Sequence, residues 1–567
     1  MKQIFRYIRP FTGRMCLGLA IKIIGTLMDL ALPWMLAYML DTVVPAGSRS
    51  NIILLGLLML LAAVIGISGN IVANRIASAV ARDTTRAIRR DLFARCMSLS
   101  CTQVDKIGIP SLETRLTGDT YNIHQMVGMM QRMGVRAPIL LIGGICCAFA
   151  MEPALALVML AVLPFISAAV YFISKRGRQL YREVQLAADS MVRKVRQISK
   201  GIRVIKAFST QPAEESSFES LNRGLSDKEQ RAGIIMGASN PIMTVLLNLG
   251  LIAVILTGAF LVNAGVSQSG KIIAFMSYFT IISNAMLVVT RMFIMYSKSS
   301  ASAQRINQVL DTPEDLERLE DNTVYTQSFI SFQNVSFAYG GTPCLQDVSF
   351  ELEEGQTLGI VGATGSGKST VIKLLLRLYD CSSGRICLCG RDVRSYKSDE
   401  LHSFFAAVMQ NDFIFTGTVL ENVRFGRDIP QSDVTDALKK AKADFVFSDP
   451  MSIEKHITAK GTNISGGQRQ RLLIARALAG KPRVLVLDDS SSALDYATDA
   501  AIRGGLAKEN MTKIIIAQRI SSVMNADKIL VMDAGRVIAC GTHEQLLDSC
   551  AIYKEISLSQ IGGAVLE

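Results

Sequence analysis

The first half of the chain alternates long apolar runs with polar, basic stretches, and its character changes near Ile330. A helix needs about 20 apolar residues to cross the hydrocarbon layer of a bilayer. Six runs meet that need: residues 15–40, 51–73, 135–151, 154–173, 234–262 and 272–295. The first two are joined by a short, charge-poor loop around Pro45, and the third and fourth by a tight turn at Glu152-Pro153. Residues 263–270 join the last two. The intervening stretches, 74–134 and 174–233, are too polar for lipid yet keep helical periodicity. The pattern therefore predicts spans that continue as long helices outside the membrane. Those stretches carry Arg82, Arg86, Arg89, Arg90 and Arg95, then Lys175, Arg176, Arg178, Arg193, Arg196 and Lys206. Basic density of this kind marks cytosolic segments. It puts both termini and the second half in the cytosol, and predicts a multi-pass protein of the plasma membrane.

Composition agrees with a lipid-embedded half. Of 567 residues, 50% are hydrophobic and only 19% charged, and the charged ones are sparse in the apolar runs. The net charge of +12 could suit nucleic acid, but the basic residues flank the spans, and no base-stacking platform or recognition module accompanies them. The expectation is no nucleic-acid partner. Eleven cysteines form no regular framework, and Cys381, Cys387 and Cys389 lack paired zinc-site spacing. They read as buried thiols in a reducing cytosol. Residues 1–15 are basic and amphipathic with no small-residue cleavage site after the apolar run, so no cleavable leader is expected. Asp29 falls inside the first span with Lys22 two turns before it. An acid there is costly, so it should face a cavity or partner helix, as a substrate or cation contact or, the favoured reading, as a solvated or paired residue beside the outer vestibule. The organisation expected is an all-α transmembrane domain at 1–310, a charged linker at 311–327, and a soluble α/β phosphate-loop domain at 328–567.

That soluble domain carries the chemistry. Gly362-Ala363-Thr364-Gly365-Ser366-Gly367-Lys368-Ser369 fits GxxxxGK[ST], follows an apolar strand at 357–361, and opens a helix. Its glycines let backbone N–H groups curl around phosphates at a helix N-terminus. Lys368 would neutralise β/γ-phosphate charge and the Ser369 hydroxyl would ligate Mg²⁺, with Thr370 beside it. A second apolar strand, Val484 to Leu487, ends in Asp488-Asp489, and the first of these acids suits Mg²⁺. Between the two strands lies Ile464-Ser465-Gly466-Gly467-Gln468-Arg469-Gln470-Arg471, opening a helix.

Together these three motifs resemble those of ATP-binding cassette (ABC) proteins, and the whole chain resembles an exporter-type ABC half-transporter. The resemblance implies ATP and Mg²⁺ as cofactors and a second half-transporter as partner. It also implies membrane lipid around the spans and a transported small molecule or peptide. Tyr339 looks like the aromatic that stacks on adenine, and Gln410 like the glutamine that touches Mg²⁺ and faces the membrane domain. Ser492-Ala493-Leu494-Asp495 looks like the loop crossing the dimer interface. In such a sandwich each ATP lies between one phosphate loop and the other chain's Ser465–Gln468-type signature. Residues 110–119 and 206–215 would be the docking loops.

Two departures from the family pattern stand out. The usual glutamate after Asp488 is Asp489, and the usual switch histidine is Gln518. Aspartate is one methylene shorter, and about 1 Å of misplacement can cost roughly a hundredfold. Glutamine cannot be cationic and so stabilises a γ-phosphate less. Such paired losses resemble the degenerate-site subunit of heterodimeric ABC exporters, with an intact signature serving the partner's site. Ala459 also falls where many relatives carry an acid. The reading is a heterodimeric exporter of amphipathic molecules. An importer of metal-chelate complexes, an ATP-gated channel and a slow homodimer remain as alternatives, because fold alone does not fix direction or cycle.

Overall fold

The apolar runs fold as helices, several of which outrun any bilayer. The computed structural model describes residues 2–561 apart from 317, 321–322, 411, 449–451 and 491–492. The chain divides into two units, Met1–Met97 with Pro110–Thr312, and Ser98–Ile109 with Pro313–Glu567.

The first unit is helical. Arg49–Ser98 is one helix of 50 residues and Pro153–Ala207 one of 55. At 1.5 Å per residue these are about 75 and 80 Å long, more than twice a hydrocarbon core of about 30 Å. The continuation of spans into long polar helices is thus observed. Among the described residues five segments are long and apolar enough to cross a membrane: Ile4–Val43, Arg49–Ser98, Ile109–Met151, Thr244–Asn263 and Ser269–Val289. The remaining predicted span, 154–173, is the start of Pro153–Ala207, where the described apolar stretch is Pro153–Val162. The turn before it follows from Pro153, which occupies the first helical position, while Glu152 is extended at φ −157° and ψ 98°. The helices pack through Leu30, Met159, Val254, Phe275 and Ile282, with Tyr278 donating its hydroxyl to the Leu30 carbonyl at 2.7 Å.

Asp29 is paired. Its carboxylate accepts from Arg136 at 3.1 Å and from Asn70 at 3.5 Å, whereas buried Lys22 donates to Asn74 at 3.0 Å. Lys22 and Asp29 are thus satisfied by facing helices and not by each other.

An inside-out test follows from the basic density. In a background lacking the eleven native cysteines, a cysteine at exposed Ser216 should resist a membrane-impermeant thiol reagent applied to intact cells. One at exposed Ala264, in the turn after the helix Ser239–Asn263, should react. The reverse pattern would invert the topology.

The second unit holds two main sheets. β1 (Ile330–Tyr339), β2 (Thr342–Leu352), β4 (Ser383–Leu388) and β5 (Arg391–Asp392) form an antiparallel sheet in the order β2-β1-β4-β5. β3 (Thr357–Gly362), β6 (Phe405–Val408), β9 (Val484–Asp488), β10 (Thr512–Ile516), β11 (Lys528–Asp533) and β12 (Arg536–Gly541) form the other, ordered β12-β11-β3-β10-β9-β6. A short pair, β7 (Gly417–Thr418) with β8 (His456–Ile457), completes the strands. All pairings in the six-stranded sheet are parallel except that of edge strand β12. Every residue of β9 is buried, which explains its continuous apolar run: strands of parallel sheets are covered on both faces.

The segment that joins this second unit is Ser98–Ile109, upstream of the 110–119 predicted for docking. Within it Ser100 caps the short helix Cys101–Ile107 and forms a capping box with Gln103. Ser100 also donates to Asp315 at 2.8 Å, and Asp105 accepts from Tyr379 at 2.7 Å. The polar pattern before residue 110 was legible, but its partners lie more than 200 residues away and left no local mark.

Candidate functional site

Three adjacent strands deliver the chemistry to one edge. β10 lies between β3 and β9, with Ile516 in register with Ile360 on one side and Asp488 on the other. Gly362, Asp489 and Gln518 therefore follow neighbouring strand ends, where open α/β sheets hold their ligands. β6 pairs with β9 and places Gln410 two residues beyond its end. A cavity of about 210 Å³ opens there, lined by Thr364, Gly365, Gly367, Lys368, Ser369, Thr370, Gln410, Asp488, Asp489 and Gln518.

The phosphate-loop glycines are required by geometry. Gly367 sits at φ 95°, and a Cβ on it would lie 2.6 Å from the Leu345 side chain. Gly362 sits at φ 152°, and a Cβ there would run into the Met532 carbonyl. The loop ends at the helix Lys368–Leu375, whose first N–H groups are unpaired by nature and suit an anion. Lys368 folds back over the loop and donates from Nζ to the Gly362 carbonyl at 2.8 Å and the Ala363 carbonyl at 2.7 Å. Burial holds its ammonium below the usual lysine range, while Asp488 and Asp489 pull the other way. Ser366 is buried, and its Oγ has no partner among the described residues.

The two acids differ. Asp488 is only 2% exposed. Burial pushes its carboxyl up, the Ser369 hydroxyl and Lys368 push it down, and Asp489 adds to the rise. Asp489 is half-buried and also pushed up by burial, against Lys368 and Arg519. Its backbone lies at φ 50°, a left-handed conformation that aspartate and asparagine accept better than most side chains. Gln518 donates from Nε2 to Asp489 Oδ2 at 3.1 Å. An oxygen set of Ser369, Asp488 and Gln410 matches what a hard divalent cation takes, and a cation there would offset the cost of burying Asp488.

Other predicted residues lie away from this cavity wall. Tyr339 packs edge-on against Phe337 and Tyr379, with ring centroids 4.7 and 5.3 Å apart, and Lys373 Nζ lies 5.6 Å from its ring centre. Ser465 caps the helix Gly466–Leu478: its Oγ accepts from Gln468 N at 3.2 Å, and Gln468 Oε1 accepts from Ser465 N at 3.0 Å. Gly466 and Gly467 pass close to Ala493, and Asp495 accepts from Thr498 N at 2.8 Å as the cap of the next helix. Ser492 lies outside the described residues. Within one chain, then, the signature does not line the phosphate-loop cavity. Sequence reasoning missed Cys344, whose Sγ lies 3.3 Å from Thr370 Oγ1 at the cavity wall, and Tyr379, which links Tyr339 to Asp105. Tyr379 stands four residues beyond the helix Lys368–Leu375, and nothing in its spacing gave it a role.

Comparison with known proteins places these features in a wider setting. Residues 15–286 match the ABC transporter transmembrane region and residues 345–492 match the ABC transporter domain. An uncharacterized ABC transporter ATP-binding protein of Mycobacterium tuberculosis is 34% identical over 98% of this chain and 97% of its own length. The ATP-dependent lipid A-core flippase of Photobacterium profundum is 29% identical over 99% and 98%. The fold resembles that of a bacterial Atm1-family ABC exporter solved with ATP bound, at a TM-score of 0.81 and 24% identity, over 97% of this chain and 98% of that one.

Proposed function

Because the chain belongs to the ABC transporter family, we propose that it is the degenerate-site half of a heterodimeric exporter of amphipathic molecules. As an ABC half-transporter it dimerizes, binds ATP and couples ATP hydrolysis to transport. The observation that carries the finer reading is the Asp489–Gln518 pair at the cavity, bonded at 3.1 Å. The carboxylate there is one methylene short of the usual base and is already engaged by a neutral amide. It is thus poorly placed to take a proton from an attacking water, and no imidazolium stands beside the γ-phosphate.

The chain's own residues divide the remaining work. Lys368 and the loop amides hold phosphate charge, Tyr339 offers a ring face to adenine, and Ser369, Gln410 and Asp488 would hold Mg²⁺. Bound Mg²⁺ would neutralise charge developing on the phosphates. Ser465 to Gln468 have no role at this chain's own cavity wall, which agrees with their serving a second chain's ATP. Long helices can carry closure of the ATP-binding domains rigidly toward the spans. Amphipathic cargo is supported by the lipid named for the Photobacterium profundum relative, and export by the Atm1-family fold.

The test is composition and rate together. Expressed with its genomic neighbours, the chain should copurify with a distinct half-transporter carrying glutamate and histidine at the two positions. Purified alone, it should hydrolyse ATP at least about a hundredfold more slowly than the pair, given general-base contributions of about 10²–10⁴. Brisk ATPase from a homodimer would sink the heterodimer reading.

A further inference from the structure

A cavity of about 740 Å³ opens in the first unit beside the N-terminal helix Lys2–Ile8. That volume lies in the range of roughly 300–1,000 Å³ typical of small-ligand sites. Phe5, Leu19, Met126, Met130 and Val135 make its wall largely apolar. Methionine side chains in such a wall adapt to flexible chains.

Thr12, Tyr296, Arg6, Arg9 and Gln131 break the apolar wall, and the last three carry N–H donors. Arg6 and Arg9 line the cavity, are exposed, and have no ion pair among the described residues. The acid bonded by neighbouring Tyr7, Asp91, is already held by Arg90 at 3.0 Å. Gln131 is 7% exposed, lines the same cavity, and its Nε2 has no acceptor among the described residues. A buried donor without an acceptor is unfavourable, so a site of this kind asks for an oxygen from outside the chain.

We propose that this cavity binds one anionic glycerophospholipid of the surrounding bilayer. The acyl chain lies among Leu19, Met126 and Met130, the phosphate faces Arg6 and Arg9, and an ester carbonyl accepts from Gln131. Guanidinium groups match phosphate oxygens in geometry as well as charge. The placement suits a lipid because Ile4–Val43 is long and apolar enough to cross a membrane and its basic residues crowd the N-terminal end. That is where an interfacial anchor meets headgroups.

The assembled transporter in nanodiscs would be labelled with a phosphatidylglycerol bearing a photoactivatable diazirine on its acyl chain. Label is expected on peptides containing residues 4–9 and 126–135. Unlabelled phosphatidylglycerol should compete on the order of tenfold better than phosphatidylcholine, because only its headgroup brings net negative charge to Arg6 and Arg9. The double variant Arg6→Glu, Arg9→Glu should remove that preference. Met130→Trp, which fills the cavity and leaves the charges alone, should abolish labelling. Gln131→Leu is the milder companion should the tryptophan impair assembly, and it should weaken labelling with ATPase retained. Equal competition by phosphatidylcholine, or labelling unchanged in the variants, would overturn the proposal. So would efficient cross-linking from cysteines at Phe5 and Met130 into the second half-transporter, since the occupant would then be protein.

Discussion

Lys368→Ala is expected to strip this chain of nucleotide while leaving the transporter assembled. The ammonium sits over the phosphate loop on two carbonyls at 2.8 and 2.7 Å, with Asp488 and Asp489 favouring its charged form. A γ-phosphate would offer this half-buried ammonium charged oxygens in place of two neutral carbonyls, a stronger acceptor set. Truncating one partner of a buried, hydrogen-bonded charge pair costs about 2–5 kcal/mol. Even the lower half of that range weakens Kd by roughly thirtyfold or more. The loop should survive the change, because its shape rests on Gly362 and Gly367, whose positions leave no room for a Cβ, and on the buried strand β3. Photolabelling of this chain by an azido-ATP analogue should fall sharply, while gel-filtration position and subunit stoichiometry stay put. Unchanged labelling would remove Lys368 from its role.

Why this site was legible in sequence is a matter of range. The phosphate loop, Asp488 and Gln518 each lie within two residues of a strand end, so a local pattern of apolar run plus chemistry was enough to find them. That they converge depends on strand order, which puts β10 between β3 and β9, and a parallel sheet with sites at its carboxyl edge follows from physics common to such folds. The six apolar runs were legible for the same local reason, as were the helices that outlast them. What escaped was long-range. The excursion Ser98–Ile109 belongs with the second unit through Ser100–Asp315 and Asp105–Tyr379, bonds spanning 215 and 274 residues. Asp29 is a similar case. The cost of an acid in an apolar helix is a local feature, whereas its pairing to Arg136 is a contact between helices more than 100 residues apart in sequence.

The asymmetry between the two halves makes the sharpest demand on the proposed function. Asp489→Asn should change steady-state ATPase of the reconstituted pair by less than about twofold, because little hydrolysis passes through a site with so poorly placed a base. The substitution is mild in structure: asparagine accepts φ 50° as well as aspartate does, and its amide oxygen can still accept from Gln518. Removing the partner's glutamate should cost about 10²–10⁴-fold. Ser465 is expected to behave in the opposite way, since its hydroxyl would contact the γ-phosphate held by the partner's loop, and losing one such donor costs on the order of 10²–10³-fold. Ser465→Ala alone is ambiguous, because Ser465 also caps the helix Gly466–Leu478 and its loss would fray that helix by about 1 kcal/mol. Ser465→Asp separates the two effects. Aspartate caps as well as serine does, yet it sets a negative charge against the phosphate. Collapse of ATPase in Ser465→Asp, with thermal stability intact, would assign the hydroxyl to the partner's nucleotide. If instead Asp489→Asn abolishes turnover while Ser465→Asp is silent, the competent site belongs to this chain and the division of labour is reversed.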